Sequence, residues 1–318
     1  MRPYIQSFVY QTTNVPKVGW EDDVRPTAEG KNWLRRKIWH ESLVIVDAPE
    51  EQFYVAIDPV FNFETGIDQA DTTFWSDSVN FYKNTRGFRL QGHIGKRFSF
   101  FSSFYENQAI FPRYQDARIR SQGEWYNNNG TPVQFNGVVP GQGRTKVFKT
   151  NGFDYAMASG YVSFSPHRTV NLQFGTGKHF IGEGYRSLLL SDNSFNYPYL
   201  RVSTRWFKDR VQYTNIFASL SSLNRLPESS TSEPLYQPKA GSFHYLTVIP
   251  HWRVQLGLYE ATIWQRWDTA ASEPFNPLQL NPVMGVNTVA YGLENDNNTL
   301  LGLTAKVIPT EDLSLIHI

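Results

Sequence analysis

Hydrophobic and polar residues alternate along several segments of this chain, as they do in β-strands with one apolar face. Between residues 88 and 94 every residue of one parity is apolar or glycine, and the other parity carries arginine, glutamine and histidine. The same alternation recurs at 170–174, 200–206 and 301–307. It predicts antiparallel strands, and it fits both the wall of a membrane barrel and a soluble sandwich whose polar face meets water.

The predicted strands come in pairs joined by tight turns, and long polar stretches separate the pairs. The pairs are 42–47 with 53–59, 86–94 with 97–106, 153–164 with 168–174, 199–206 with 211–220, and 243–249 with 253–263. Soluble domains mostly use connections of about 4 to 6 residues, whereas outer-membrane barrels have short turns at one end and long loops at the other. The alternation of short turns with long connections therefore favours an all-β fold, an antiparallel up-and-down transmembrane β-barrel.

Two features fit this pattern poorly. Glu260 shares a face with Leu256 and Leu258, where a charge toward lipid would be costly, so we expect a bulge there or a position at the rim. The last connection, 309–312, is short where the rhythm requires a long one. We therefore expect a further strand within 275–284.

The N-terminal segment, residues 1–41, precedes the predicted barrel of residues 42–318. Within it, Lys31–His40 predicts a short helix, which either plugs or caps the barrel base or is an ordinary amphipathic turn. The N-terminal residues lack a charged start followed by an apolar core, so we expect the signal peptide upstream of this chain. We also expect C-terminal truncation, because residues 313–318 stop within a strand and resemble translated sequencing adapter.

Composition excludes several classes of function. Aromatic residues reach 15%, which suits the aromatic girdles of a membrane barrel, glycan-binding platforms and β cores alike. With no cysteine there is no disulfide, no thiolate metal site and no cysteine nucleophile. The net charge of +1 argues against nucleic acid as a partner. The sequence contains no apolar run of about 18 residues, so it predicts no membrane-spanning helix.

The densest cluster of glycines and polar groups lies at 174–201, FGTGKHFIGEGYRSLLLSDNSFNYPYLR. Its glycines match neither the dinucleotide nor the Walker spacing. Planar aromatics beside bidentate donors and acceptors suit sugar rings and carboxylated sugars. The candidate glycan-binding residues are Lys178, His179, Glu183, Tyr185, Arg186, Asp192, Tyr197 and Tyr199. The alternative is that this loop folds inward and its charges pair with one another.

The polar parity of the strands predicts side chains that face the lumen of a barrel. These residues are Arg89, Gln91, His93, Arg201 and Arg205, and they support a porin-like channel as the alternative function. The sequence gives weaker support to an enzyme. His179, Ser187 and Asp192 share one loop, but this loop has no G-x-S-x-G elbow. No pair of histidines has the spacing of metal ligands. We expect no enzyme, no metal and no cofactor; an outer-membrane hydrolase would need a nucleophile and base within about 3 Å of each other.

The segments NGFDYAMASGYVSFSPHRTVNLQFG and GKHFIGEGYRSLLLSDNSFNYPYLR resemble the Wzi-like capsule-assembly outer-membrane proteins, a family that includes the gliding-motility protein RemB. The likeness extends from about Trp33 to Lys306 and is strongest at 140–201. It implies a barrel in the outer membrane of a Gram-negative bacterium, with a helical element at its inner end and lectin-like attachment of surface polysaccharide in capsule assembly or gliding motility. The expected partners are surface polysaccharide and outer-membrane lipid, and we expect a monomer. No motif-defined catalytic residue is carried over.

Overall fold

The protein, seen in a computed structural model, is mostly antiparallel β-sheet, which confirms the all-β prediction. The structure describes residues 32–39, 42–73, 79–182, 186–226, 235–268, 271–274, 276–291, 297–310 and 313–317. It divides into two compact units. The first holds the described residues within 32–126 and 132–164, and the second holds those within 127–131 and 165–317.

The helices are short and the long elements are strands. Helices α1, α2 and α3 span Trp33–Trp39, Arg113–Ser121 and Val286–Tyr291, and 3-10 turns lie at Pro49–Glu51 and Pro277–Leu280. The strands are β1 (Val44–Ala48), β2 (Phe53–Gly66), β3 (Phe81–Ile94), β4 (Phe98–Ile110), β5 (Glu124–Asn128), β6 (Thr131–Asn136), β7 (Val138–Val139), β8 (Gly143–Arg144), β9 (Lys146–Phe148), β10 (Gly152–His167), β11 (Val170–Gly177), β12 (Tyr197–Trp206), β13 (Val211–Arg225), β14 (Tyr236–His251), β15 (Val254–Gln265), β16 (Trp267–Asp268), β17 (Ala271–Ser272), β18 (Asn298–Thr310) and β19 (Leu313–His317). No helix within the described part of the chain has both the length and the apolar character needed to cross a membrane.

Each unit is built from strands that pair in chain order. In the first unit the order is β1-β2-β3-β4-β10, and in the second it is β11-β12-β13-β14-β15-β18-β19. Every pairing within these two series is antiparallel. Because successive strands run up and down, the long connections of one unit all leave from the same end of its sheet. They are 67–80 after β2 and 111–151 after β4, and 178–196, 226–235 and 266–297 after β11, β13 and β15.

The first unit has an exposed apolar face and a buried polar face. Phe88 lies opposite Phe104 across β3 and β4, and the two exposed rings stack at 6.2 Å between centroids. On the other face, the buried hydroxyl of Thr85 donates to Asn107 Oδ1 at 2.7 Å. A water-soluble sheet has the opposite arrangement, with its apolar face in the core.

The second unit repeats this polarity. Leu258 lies opposite Leu303 across β15 and β18, and both leucines are exposed. The other face carries buried polar side chains from three neighbouring strands, which are Asn171, Gln173, Arg201, Ser203 and Thr214. The alternation seen in the sequence therefore separates an outward apolar face from an inward polar face in both units.

The connections contain their own structure. Helix α1 lies where Lys31–His40 predicts a helix, although residues 31 and 40 themselves fall outside the described residues. In the connection after β4, helix α2 packs Ile119 against Ala109, Phe153 and Val139, which form a small buried core at the loop end of the first unit. Long connections thus fold onto the sheet that they leave.

The prediction of a strand within 275–284 is wrong, since the described residues 276–284 form no strand. They form a 3-10 turn at Pro277–Leu280 and then lead into helix α3. The Asn276 side chain accepts a hydrogen bond from the Leu278 N–H at 3.0 Å, and the Asn281 side chain accepts one from the Val283 N–H at 3.0 Å. Asparagine side chains that bond the local backbone favour turns over strands.

Candidate functional site

The loop that follows β11 folds inward through His179. The His179 and Tyr199 rings meet edge to face at 4.1 Å between centroids, and His179 Nδ1 lies 3.2 Å from the Tyr197 hydroxyl. The Tyr199 hydroxyl in turn donates to Gln173 Oε1 at 2.9 Å. All of these side chains are buried, so His179, Tyr197 and Tyr199 hold the loop on the sheet and offer no surface to a glycan.

The environment of His179 keeps its imidazole neutral. Burial, together with the positive charge of Arg201, lowers the pKa of His179 to about 3. The ring is therefore uncharged at neutral pH. It acts as a packing and hydrogen-bonding group at the base of the loop.

The other candidate glycan-binding residues lie nearer the surface. Arg186 and Asp192 are exposed and Lys178 is half-buried; burial lowers the pKa of Lys178 and the Asp192 carboxylate opposes that shift. Glu183 and Tyr185 lie outside the described residues. The described members of the predicted set therefore separate into a buried cluster and an exposed charged group.

Ser187 serves the backbone of this loop. Its hydroxyl donates to the Ile181 carbonyl and accepts from the Leu189 N–H at 3.0 Å, next to the bridge between Ile181 and Leu190. These bonds are those of a turn-forming serine. Within the described part of this loop, the hydrogen-bond partners of the Ser187 hydroxyl are backbone groups.

The residues predicted to face a lumen all lie on the face opposite the exposed apolar one. In the first unit, Arg89 contacts Asp58 at 3.7 Å and His93 stacks on Tyr54 at 5.7 Å, while Gln91 lies between them on the same face. In the second unit Arg201 is buried and Arg205 donates to the Arg168 carbonyl at 2.8 Å. That this face lines a channel stays a prediction.

The sequence interpretation missed a buried polar cluster on the apolar face of the second unit. Asn215, His244 and Glu260 are neighbours across β13, β14 and β15, and Ser242 precedes His244 by two residues on the same face. Leucines and valines occupy most of the surrounding positions on this face. The cluster is nevertheless buried, because residues 282–288 of the connection after β15 cover it.

His244 links the other members of this cluster. Its Nε2 lies 2.8 Å from Ser242 Oγ, and its Nδ1 lies 2.5 Å from Asn215 Oδ1. Because an amide oxygen only accepts hydrogen bonds, Nδ1 carries the proton and Nε2 accepts the hydrogen bond of the Ser242 hydroxyl. A serine, a histidine and an amide in this order match the arrangement of nucleophile, base and orienting group in covalent hydrolases.

Glu260 holds the covering segment in place. Its carboxylate accepts hydrogen bonds from the Gly285 N–H at 2.5 Å, from the Thr288 N–H at 3.2 Å and from the Thr288 hydroxyl. No bulge lies at Glu260 itself, since the pairing of β15 with β18 runs without a register shift from 254 to 263; the register shift of β14 against β15 lies before it, between Val248 and His251. The carboxylate is instead satisfied by the start of helix α3, where backbone N–H groups lack intrahelical partners.

Two further bonds attach the cover to the sheet. The Tyr213 hydroxyl donates to the Pro282 carbonyl at 2.6 Å, and Asn287 Nδ2 donates to Ser242 Oγ at 3.4 Å. Beside Ser242, an apolar groove of about 190 Å³ lies between the sheet and the 3-10 turn. Its lining includes Phe174, Leu200, Phe217, Ala240 and Leu280.

A sequence signal for this cluster exists in retrospect. Asn215, Ser242, His244 and Glu260 are polar residues at a parity whose neighbouring positions include Tyr213, Phe217, Leu246 and Leu258. Such an interruption indicates a covered position. Which segment covers it is not encoded in any short motif.

Among the described residues, no group of three or more histidine, aspartate and glutamate side chains could hold a metal ion. Comparison with protein-family models gave no match to this sequence, and comparison with curated proteins gave none either.

Proposed function

We propose that this chain is the wall of an outer-membrane β-barrel whose long connections bind a surface polysaccharide. The observation that carries the proposal is the polarity of the strands in both units, where leucine, valine and phenylalanine side chains are exposed and polar side chains are buried. In water such a surface is unfavourable by about 25 cal/mol per Å² of apolar area. A lipid bilayer removes that cost, and barrel strands alternate apolar outward and polar inward for this reason.

Glycan binding is proposed for the long connections. They leave one end of each sheet, and they expose large aromatic rings such as Tyr114 and Trp125 in the first unit and Phe195 in the second. Exposed rings stack on the apolar faces of sugars, and neighbouring charges such as Arg186 and Asp192 bind hydroxyls and carboxylates. The resemblance to capsule-assembly proteins gives the same substrate class. Capsule assembly or gliding motility is the corresponding cellular role.

The test compares two equally exposed tryptophans. Trp125 lies in a long connection and Trp252 lies in the tight turn between β14 and β15, and each is 59% exposed. Full-length protein in detergent is presented with purified surface polysaccharides on an array. We expect Trp125→Ala to weaken retention about tenfold or more, by analogy with nucleic-acid bases, whose stacking on an aromatic side chain contributes on the order of 1–3 kcal/mol. Trp252→Ala should bind glycan as the parent does. The proposal is contradicted if both variants lose binding equally, or if the parent retains no glycan.

A porin-like channel is the second candidate, supported by arginines at Arg89 and Arg201 on the polar face. Planar-bilayer recordings separate the two functions. A channel passes ions, and its anion selectivity falls in Arg89→Ala. A plugged glycan anchor gives no unitary conductance.

A further inference from the structure

We propose that Ser242, His244 and Asn215 form a hydrolase site for fatty acyl esters on the apolar face of the second unit. This activity goes beyond glycan binding, uses different residues and does not depend on it. It also revises the expectation that the chain is not an enzyme. The nucleophile–base distance required of a hydrolase is met here, at a pair that the sequence interpretation did not consider.

The geometry assigns a role to each side chain. The Ser242 hydroxyl donates to His244 Nε2 at 2.8 Å, which is the distance a general base needs to take the proton of a nucleophile. Asn215 Oδ1 at 2.5 Å from Nδ1 fixes the tautomer and the ring plane, so Asn215 is a positioning residue. Tyr213, 3.3 Å from the same Nδ1, supports the ring from the next position along β13.

Asn287 supplies a polar hydrogen beside the nucleophile. Its Nδ2 lies 3.4 Å from Ser242 Oγ, and among the described residues its buried Oδ1 has no hydrogen-bond partner. A side-chain amide at this place can donate to the oxyanion that forms when a carbonyl is attacked. Asn287 comes from the covering segment, so cover and sheet together complete the site.

The substrate class follows from the surroundings. The groove of about 190 Å³ begins at Phe217, which lies directly across from Ser242, and most of its lining is apolar, with Arg266 and Gln279 as its charged and amide side chains. Leu258 and Leu303 extend an exposed apolar surface on the same face. An acyl chain fits the apolar part of such a groove.

The reaction is ester hydrolysis in two steps. Ser242 Oγ bonds to the carbonyl carbon as its proton moves to His244 Nε2, and the oxyanion accepts a hydrogen bond from Asn287. The bond from carbon to the alcohol oxygen then breaks, and the alcohol leaves with the proton from His244. Water attacks the acyl-Ser242 ester with His244 again as base, which releases the fatty acid and restores the serine.

The cover controls access, because Ser242 and His244 are fully buried beneath it. Its attachments are the bonds to Glu260 and the bond from Tyr213 to Pro282. Substrate enters when residues 282–288 lift from the sheet, and Asn287 contacts the oxyanion once this segment has closed again over the bound ester. Loosening the Glu260 bonds should therefore raise the rate of reaction at Ser242.

A fluorophosphonate probe tests the site directly, since it phosphonylates a serine only when a base activates it. The full chain, refolded in detergent, is incubated with the probe, and peptide mass spectrometry locates the modified residue. We expect modification at Ser242, hydrolysis of p-nitrophenyl butyrate, and about fivefold faster labelling in Glu260→Gln. We expect at least a hundredfold slower labelling in His244→Ala, the range in which a lost general base falls.

Two further variants separate chemistry from folding. Asn215→Leu should slow labelling about tenfold or more, and Asn215→Asp should restore it with a changed pH profile, which a merely structural asparagine would not do. Ser203→Ala, a buried serine bonded to Thr214 on the opposite face of the sheet, should label as the parent does. Absence of labelling at Ser242 in both the parent and Glu260→Gln overturns the proposal, as does equal labelling with and without His244.

Discussion

His244 lies directly opposite Glu260 across β14 and β15, with Leu246 and Leu258 as the next pair on the same face. A carboxylate and an imidazole thus lie on a face of the sheet whose adjacent pair is two leucines. The covering segment removes both from solvent and meets the carboxylate with hydrogen-bond donors. A polar interruption on an apolar face therefore specifies where a distant part of the chain docks.

Glu260→Gln should loosen the cover. The carboxylate accepts from two backbone N–H groups and one hydroxyl, and an amide keeps only one accepting oxygen. Hydrogen bonds to a charged group contribute about 1.5–3 kcal/mol, so we expect a loss of about 2 kcal/mol in unfolding free energy. Amide exchange at Gly285 and Thr288 should become faster. Glu106→Gln, which breaks an exposed ion pair with Arg86, is the control and should change stability by less than about 1 kcal/mol.

Gly285→Ala should destabilise through the backbone alone. Gly285 has φ of +87°, and an added Cβ would meet no atom within 4 Å. An L-residue held at positive φ costs on the order of 1–2 kcal/mol, and here the strain would also displace the N–H that bonds Glu260. Gly66→Ala is the matched control, since it too has open space but no positive φ. The unfolding free energies of the two variants, obtained from urea titrations, should differ by this amount; equal values would show that the turn before α3 tolerates a side chain.

The sequence predicts the strands well because their signals are local. Alternation and turn spacing require only neighbouring residues, and the strand pairs occur at the predicted places. The predicted turns are less accurate at 165–167 and 250–252, each of which contains a proline. Pro166 and Pro250 lie inside β10 and β14, and the chain reverses after them at Arg168–Thr169 and Trp252–Arg253.

The docking of the connection after β15 could not be predicted from the sequence in the same way. Helix α3 is a single short element, and its place depends on Glu260, Ser242 and Tyr213 from three different strands. These contacts join residues far apart in the chain. The candidate site at His179 shows the same limit, because the sequence marks the residues but not that three of them pack against one another out of solvent.

The buried imidazole of His179 predicts acid sensitivity. Its folded pKa of about 3 lies below the value of about 6.5 expected for an unfolded chain. Between these values the unfolded state binds a proton that the folded state does not. The stabilising contribution is therefore fully present above about pH 6.5 and is lost at roughly 1.4 kcal/mol per pH unit as the pH falls toward 3. Urea unfolding from pH 7 to pH 4 measures this slope.

His179→Gln should flatten that slope, because glutamine does not titrate. Tyr199→Phe is the control: it removes a neutral hydrogen bond to Gln173 from the same cluster. We expect it to lower stability by about 1 kcal/mol at every pH and to leave the slope unchanged. A slope that persists in His179→Gln would assign the acid sensitivity to other groups.

Single cysteines can test which face of the sheet meets lipid, because the natural chain has no cysteine to remove. Leu303 is 72% exposed on the apolar face of β18, and the neighbouring Thr304 is buried on the other face. Leu303→Cys, labelled with an environment-sensitive maleimide and reconstituted into liposomes, should emit at short wavelength and be quenched by spin-labelled lipid acyl chains. Phe88→Cys should behave in the same way in the first unit. Gln91→Cys, at the polar parity of the same strand, is the matched control and should not be quenched. Equal quenching at Phe88→Cys and Gln91→Cys, or water-like emission at Leu303→Cys, would contradict the proposal that the apolar face contacts lipid. Such an apolar face would instead have to be covered by protein.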